Sequence, residues 1–518
     1  MPLRNDIGER KRRGVVYTPR WVVDEILSRV CGGGLRGRLL CDPACGDGNF
    51  LVAAAEQIIS EKGERKRLKK DLQDGICGFD SDPDALRKCR ARLDAVAWAR
   101  GVRAKINWNL REMDSVDKNR VSEYFGAFDF VVGNPPYIRI QHLPKETRAR
   151  LAAQWRSAAR GCCDIYMAFF EAGLRLLHAR GKLGYITPNG FAKTDAGKPL
   201  REMLSEEGVV KTLIDFGEHQ VFSGATTYSL ITILDRNANG AAARLYRYDG
   251  AKIRFCDVMR RGRLRASRWD LCGREEYARV RKIRERGAPL GEIADIYVGV
   301  QTLADDVFIL EHAGEDGDLF VCGTADGEIV RLEKAATLPI LKVSVMKNGS
   351  DPKNRIIVCP YRLESSRMPS LIPEDEMRAR FPRAFAYLRR RKRRLLMRDK
   401  GAFRGAWYAY GREINLRKTL GDKILTAGMN RAPNFMKCPA PRYTFYSGYA
   451  VKIKNAAVSS DELLAQLNSD DMDFFIRRTA RDYRNGWKSY AKAFIKDFGV
   501  AVVRDKLCRE PFVRGGKE

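Results

Sequence analysis

Phe128-Asp129-Phe130-Val131-Val132-Gly133 runs straight into Asn134-Pro135-Pro136-Tyr137, and this junction decides how the chain is read. The first six residues have the length and apolar character of a strand. The next four stop it rigidly. Proline fixes φ and lacks an N–H, and a residue that precedes proline is pushed to extended geometry, so Asn134 and Pro135 are both stiff. Two carbonyl acceptors then stand in a row, the Asn134 side chain and the Pro135 backbone, with few donors competing for them. Such a pair suits a planar nitrogen. An exocyclic amine on a heteroaromatic ring attacks poorly because its lone pair is delocalised. Two acceptors pulling on its hydrogens turn it towards a tetrahedral, nucleophilic form. Tyr137 adds a flat face on which a base can stack. A plain proline-rich turn is the competing reading of the tetrapeptide taken alone.

On both sides of this junction, apolar strands alternate with helical stretches. Leu39–Cys41, Ile76–Phe79, Phe128–Val132, Leu183–Ile186, Val209–Asp215 and Tyr228–Leu234 read as strands. Phe50–Ile59, Asp84–Trp98 and Tyr166–His178 carry helical apolar spacing. The alternation predicts an α/β fold with a parallel, doubly wound sheet. Asp235–Ala243, with Asn237-Ala238-Asn239-Gly240, marks a boundary, and beyond it the text is less regular and more basic. A chain of 518 residues exceeds one core, so two or three domains are expected. Residues 1–13 form a charged tail.

Leu39-Leu40-Cys41-Asp42-Pro43-Ala44-Cys45-Gly46-Asp47-Gly48-Asn49-Phe50 reads as strand, glycine turn and helix start. Gly46 and Gly48 let backbone approach a ligand closely, although any tight turn can use such a pair. The third glycine of a dinucleotide fingerprint is replaced by Leu51. Asp42 and Asp47 would repel a pyrophosphate, so NAD and ATP are disfavoured. A cationic cofactor with an amino-acid tail is welcome there, which points to S-adenosyl-L-methionine. Asp80, at the end of the next strand, is placed for a ribose diol. It is preferred as a ligand to a helix cap, because Ser81-Asp82-Pro83 can cap the following helix without it. Asp114 is placed either for an adenine amine or as a solvated loop aspartate.

The net charge of +30 points to a polyanion, nucleic acid first. Thirteen cysteines lack regular spacing; the closest pairs are Cys41/Cys45 and Cys162/Cys163. With four histidines in all, no zinc pattern exists, and no metal is expected. Reduced thiols, no signal peptide and no membrane-length apolar run indicate a cytoplasmic protein. Arg389, Arg390, Arg391, Lys392, Arg393 and Arg394 form a basic run beside Phe385, Tyr387, Phe403, Trp407, Tyr408 and Tyr410. Basic residues interleaved with aromatics suit a nucleic-acid surface, and a solvated helix face is the alternative.

Taken together and in order, these pieces resemble the gamma-class, TaqI-type N6-adenine DNA methyltransferases of restriction-modification systems. Gly14-Val15-Val16-Tyr17-Thr18-Pro19 precedes the glycine loop. The Asn-Pro-Pro-Tyr junction follows, then Asp164–Phe169, the turn and strand Gly181–Asn189, and Val221-Phe222 before the last strand. The resemblance covers roughly residues 14–235. It weakens afterwards, returning at 293–308 and at Arg484–Tyr490, which look like the opening and closing of a TaqI-type specificity domain.

The resemblance implies a class I S-adenosylmethionine-dependent methyltransferase sheet followed by a mixed α/β target-recognition domain. It divides the chain into a catalytic domain 1–240, a connector 241–290 and a DNA-reading domain 291–518. It assigns Asn134, Pro135, Pro136 and Tyr137 to catalysis and Phe222 to the other face of a flipped adenine. Thr18 becomes a contact to the cofactor's methionine moiety, and Asp42, Ala44, Gly46, Asp80 and Asp114 become the cofactor shell. Phe169 walls the cofactor adenine, with plain core packing as the alternative for it and for Phe222. Trp487 and Lys488, in the closing motif, join the basic run as DNA contacts. The partners implied are double-stranded DNA and a separately encoded restriction endonuclease, since only 13 residues precede the Thr-Pro motif and no nuclease core is visible. Three rival readings carry fewer of these features. They are a protein methyltransferase acting on a glutamine amide, a ribosomal-RNA methyltransferase and a non-enzymatic specificity subunit.

Overall fold

Nine strands make the first sheet. They are β1 (Leu40–Asp42), β2 (Ile76–Asp80), β3 (Asn109–Glu112), β4 (Phe128–Gly133), β5 (Leu177–Pro188), β6 (Val210–Gln220), β7 (Tyr228–Asp235), β8 (Ala242–Tyr248) and β9 (Ile253–Arg260). Their order is β3-β2-β1-β4-β5-β7-β6-β8-β9. The first five are parallel, and β7 lies antiparallel between β5 and β6. This computed structural model describes residues 17–502, apart from 63, 160–162, 223–226, 266–267, 348, 364–368, 413–415 and 455–457. The charged tail, Gly14–Val16 of the Thr-Pro motif and Cys162 lie outside the described residues.

The expected doubly wound α/β sheet is present. Its central strands are apolar on both faces because helices cover both. One face is covered by α1 (Arg20–Val30), α2 (Asn49–Ser60) and α3 (Pro83–Ala99), whose buried residues join a core with Leu40, Phe130, Ile186 and Ile231. The other face is covered by α4 (Tyr166–Leu176), packed with Phe79, Phe128, Val131, Leu183 and Tyr185. The order reverses between β1 and β4, so their carboxyl ends open the crevice where ligands of such sheets sit.

Two boundaries differ from expectation. The helix expected over Tyr166–His178 ends at Leu176, because Leu177 pairs with Phe128 and starts β5. His178 Nε2 then reaches Asp129 Oδ1 at 3.0 Å. The sheet also runs past residue 240. β8 lies parallel to β6, and β9 pairs with β8, inside the stretch expected to be a connector. The first compact unit accordingly extends to Ala278 and takes in Arg481–Asn485 as well.

The second unit holds residues 279–480 and the chain from Gly486 onward. It is mixed α/β. β10 (Ala294–Val298), β11 (Ile309–Asp316), β12 (Leu319–Gly323), β13 (Ile329–Glu333), β14 (Thr337–Lys342), β15 (Arg355–Val358), β16 (Ile424–Thr426), β17 (Phe435–Lys437), β18 (Thr444–Tyr446) and β19 (Tyr449–Ile453) form two sheets. Their orders are β13-β12-β11-β15-β14-β18 and β10-β19-β16-β17.

Candidate cofactor and target-base site

The loop between β1 and α2 forms one wall of the crevice. Gly46 and Gly48 have φ of 53° and 91°, a region that side chains rarely enter. A Cβ on Gly48 would also stand 2.5 Å from Cys89 Sγ on α3. The loop is pinned to β2 by Cys45 N–H donating to the Phe79 carbonyl at 2.9 Å and Gly46 N–H to Asp80 Oδ2 at 2.8 Å. Asp80 also accepts from Asp82 N–H at 2.9 Å, while Asp82 caps α3. Asp80 thus shapes the loop and keeps lone pairs for a ligand. Burial raises its pKa, opposed by those backbone hydrogen bonds.

Asp42 is 2% exposed. Its Oδ1 accepts from Ala44 N–H at 3.0 Å, and no donor among the described residues reaches Oδ2. Burial, helped by nearby Asp80, pushes its carboxyl up to about 8. A buried carboxylate with an open oxygen is costly unless a cation meets it. Asp114 is less available. Its Oδ2 pairs with Arg150 Nη2 at 2.8 Å and its Oδ1 accepts from Val116 N–H at 3.1 Å. Phe169 is buried in the core around α4, and Ala44 packs against that core.

The Asn-Pro-Pro-Tyr turn forms the facing wall. β4 brings it there through Gly133, a residue that sequence reading did not single out. A Cβ on Gly133 would lie 2.7 Å from Asp42 Oδ1, so only glycine lets the turn approach this closely. The signal was in the text, as the glycine directly before Asn134. Asn134 Nδ2 donates to Thr18 Oγ1 at 3.0 Å, so Thr18 touches the Asn-Pro-Pro-Tyr turn itself. Tyr137 Oη donates to Asn134 Oδ1 at 2.5 Å and lies 3.3 Å from the Ile186 carbonyl at the end of β5. No backbone N–H among the described residues donates to the Pro135 carbonyl. Pro135 is buried and Pro136 half-buried.

Tyr137 and Phe222 are neighbours, with ring centroids 6.2 Å apart and planes at 66°. A base held between two parallel rings needs about 7 Å, twice the ~3.4 Å stacking rise. The pair is therefore edge-on, without a slot between parallel faces. Phe222 is 2% exposed, among Ile186, Ile214 and Ile231.

The basic run falls on the helices Pro382–Arg390 and Lys392–Leu396 of the second unit. Arg390 and Arg391 pair with Glu328, Arg391 with Asp326 and Arg394 with Asp306. Arg391 also lies over the Tyr387 ring at 4.2 Å and Lys392 over Trp407 at 5.2 Å. Arg389 and Arg393 are exposed, with no ion pair among the described residues. Trp487 is 39% exposed beneath Arg431, and Lys488 pairs in a ladder with Asn430. Among the described residues, no cluster of His, Cys, Asp or Glu is set to hold a metal, and no helix is long and apolar enough to cross a membrane.

Residues 67–222 match the family of Eco57I restriction-modification methylases. The match contains β2, β4, the Asn-Pro-Pro-Tyr turn and Phe222. The chain is 28% identical over 500 residues to the type II restriction enzyme and methyltransferase RM.Eco57I of Escherichia coli, covering 80% of this chain and 49% of that one. It is 29% identical over 337 residues to the type II methyltransferase M.PaeR7I of Pseudomonas aeruginosa, covering 58% and 57%. The chain spans about half the length of these relatives. The structure of the type IIL restriction-modification enzyme MmeI in complex with DNA shares the fold at a TM-score of 0.60 and 13% identity, covering 92% of this chain and 65% of that one. S-adenosylmethionine is the cofactor implied for an Eco57I-type methylase. Asp42, with an open oxygen on a buried carboxyl, and the left-handed glycine loop fit its cationic, amino-acid-bearing end.

Proposed function

We propose that the chain is a site-specific DNA methyltransferase that flips a target adenine and methylates its exocyclic N6 amine, as the modification activity of a restriction-modification or phage-defence system. One observation carries this reading. The Asn-Pro-Pro-Tyr turn follows directly on Gly133, where a Cβ would stand 2.7 Å from the buried Asp42 carboxyl of the glycine loop.

Asp42, Asp80, Gly46 and Thr18 would hold S-adenosylmethionine, which supplies an electrophilic methyl group. An adenine inside a duplex is out of reach and must be extruded, at a cost of a few kcal/mol. Stacking on the Tyr137 ring offsets this by roughly 1–3 kcal/mol. The Asn134 amide oxygen and the Pro135 carbonyl accept the two amine hydrogens and align the nitrogen lone pair. With S-adenosylmethionine bound, its methyl group would pass to this nitrogen with loss of the thioether product, and the surplus amine proton would leave to solvent. The step needs alignment more than acid–base chemistry. The Tyr137 hydroxyl now holds the Asn134 oxygen, so the arriving amine displaces it. A +30 chain suits double-stranded DNA, with the second unit as its reader through Arg389, Arg393, Trp487 and Lys488. A restriction endonuclease of the same specificity is the expected partner.

The test is methyl transfer from tritiated S-adenosylmethionine to unmethylated genomic DNA, ribosomal RNA and a cell protein extract in parallel. N6-methyladenine in the DNA digest is the expected product. Label confined to RNA or protein overturns the substrate. Asn134→Ala is expected to abolish turnover while cofactor binding, read by equilibrium dialysis, stays within about threefold (~0.7 kcal/mol). Near-normal turnover in that mutant overturns the mechanism.

A further inference from the structure

Lys193 and Asp482 lie 289 residues apart in sequence and form a 2.9 Å ion pair within the first unit. Their side chains are only 7% and 6% exposed. Two buried charges are a poor source of stability, and such a pair is better explained by what it holds in register. It holds Arg481–Asn485, the one segment by which the late chain joins the catalytic unit. Lys193 ends the one-turn helix Gly190–Lys193 that follows β5, close in sequence to the Ile186 carbonyl that meets Tyr137. Tyr483 adds a second anchor, its ring 6.3 Å from that of Tyr228, and the Tyr228 carbonyl accepts from Asn189 N–H at 2.7 Å.

The anchored segment brings Arg481 to the exit of the Asn-Pro-Pro-Tyr turn. Its Nη2 is 3.7 Å from where a Cβ on Gly190 would stand. After Tyr137, the chain pairs with the residues before α4. Ile165 N–H donates to the Ile138 carbonyl at 2.9 Å, Ile140 N–H donates to the Cys163 carbonyl at 3.0 Å, and Arg139 bridges Asp164. Burial raises the pKa of the Asp164 carboxyl, opposed by Arg139, Arg481 and His142 around it. Three basic groups around one carboxylate leave positive charge over, and exposed Arg484 adds to it. Among the described residues, Arg139, Arg481 and Arg484 make no ion pair. The run at 389–394 differs, since three of its arginines already hold acids.

We infer that Arg481–Arg484 is a phosphate-binding strap of the catalytic unit: Lys193 and Asp482 anchor it, and Arg481, with Arg139, grips phosphodiesters of the DNA strand next to the flipped base. This rests on the reading above. It makes Lys193 a positioning residue.

Binding of the full chain to an unmethylated 40-base-pair duplex, followed by fluorescence anisotropy between 50 and 200 mM KCl, tests it. Each phosphate neutralised contributes about 0.9 to the slope of log affinity against log salt. Arg139→Gln/Arg481→Gln should flatten that slope by about 1.8, so that this range costs the mutant about twelvefold less affinity than the wild type. Cofactor affinity should stay unchanged. Lys193→Met/Asp482→Leu, which replaces the pair by apolar groups and so avoids an unpaired buried charge, should flatten the slope to the same degree. A wild-type chain that methylates DNA while both double mutants keep its slope overturns the strap alone. A wild-type chain that neither binds nor methylates DNA overturns the functional reading and the strap with it.

Discussion

Asp42 is the residue whose chemistry is most altered by folding. In an open chain its carboxyl titrates near 3.8, and burial raises it to about 8. Between those values the folded chain keeps a proton that the unfolded chain releases, so stability falls as pH rises through this window. Asp42→Asn should remove that dependence and raise the Tm of the cofactor-free protein at pH 8 relative to wild type. The same substitution should weaken cofactor binding at least tenfold, about 1.4 kcal/mol, because no anion then meets the cationic end. Thermal melts from pH 5 to pH 8 and equilibrium dialysis check both halves; a mutant whose melts keep the wild-type pH dependence disproves the assignment. Tyr137 and Asn134 teach a related lesson. The Tyr137 hydroxyl donates to Asn134 Oδ1 at 2.5 Å, so the acceptor that the sequence offers to a substrate is met by its own neighbour.

Among the elements, the end of β4 matters most. Gly133 is the hinge between a buried strand and a rigid turn, and a methyl group there would press on Asp42 Oδ1. Gly133→Ala is expected to cost about 1–3 kcal/mol of stability through overpacking and to reduce turnover more than it reduces DNA binding. Urea denaturation together with kcat and DNA affinity measures this; an unchanged midpoint and kcat would contradict the packing argument. The paired helices of the basic run separate two roles that one string of letters conceals. Arg391 is held by Asp326, Glu328 and the Tyr387 ring, whereas Arg393 projects to solvent. Arg391→Ala should lower the Tm with little change in the salt slope of DNA binding, and Arg393→Ala should do the reverse. Equal effects of the two on both measurements would return the run to a uniform charged surface.

For the whole molecule, the chain's path defines the first unit better than a boundary drawn in the sequence. A fragment ending at residue 240 loses β8 and β9 and uncovers the edge of β6, a template for aggregation. One ending at Ala278 keeps the sheet but leaves Lys193 without Asp482, and breaking a buried pair costs about 3–5 kcal/mol. The fragment 1–278 should therefore melt well below the full chain's first transition, and Lys193→Met within it should recover much of the loss. Equal Tm values for the fragment with and without that substitution would show that the pair is not what the late segment contributes.

What the sequence by itself determined are features written in local chemistry. The strand-and-helix alternation, the glycine turn, the acids that suit a cationic cofactor, and the stiff acceptors of Asn134 and Pro135 each follow from a few adjacent residues. Their physical causes act over one turn or one strand. The tertiary structure alone decided the rest. It showed that Gly133 joins the two walls, that Thr18 touches Asn134, that β8 and β9 continue the sheet, and that Asp482 returns to Lys193. It also showed which arginines of the basic run are already neutralised. These are contacts between residues far apart in sequence, and a charge reads the same in the text whether folding places an acid beside it or leaves it for DNA.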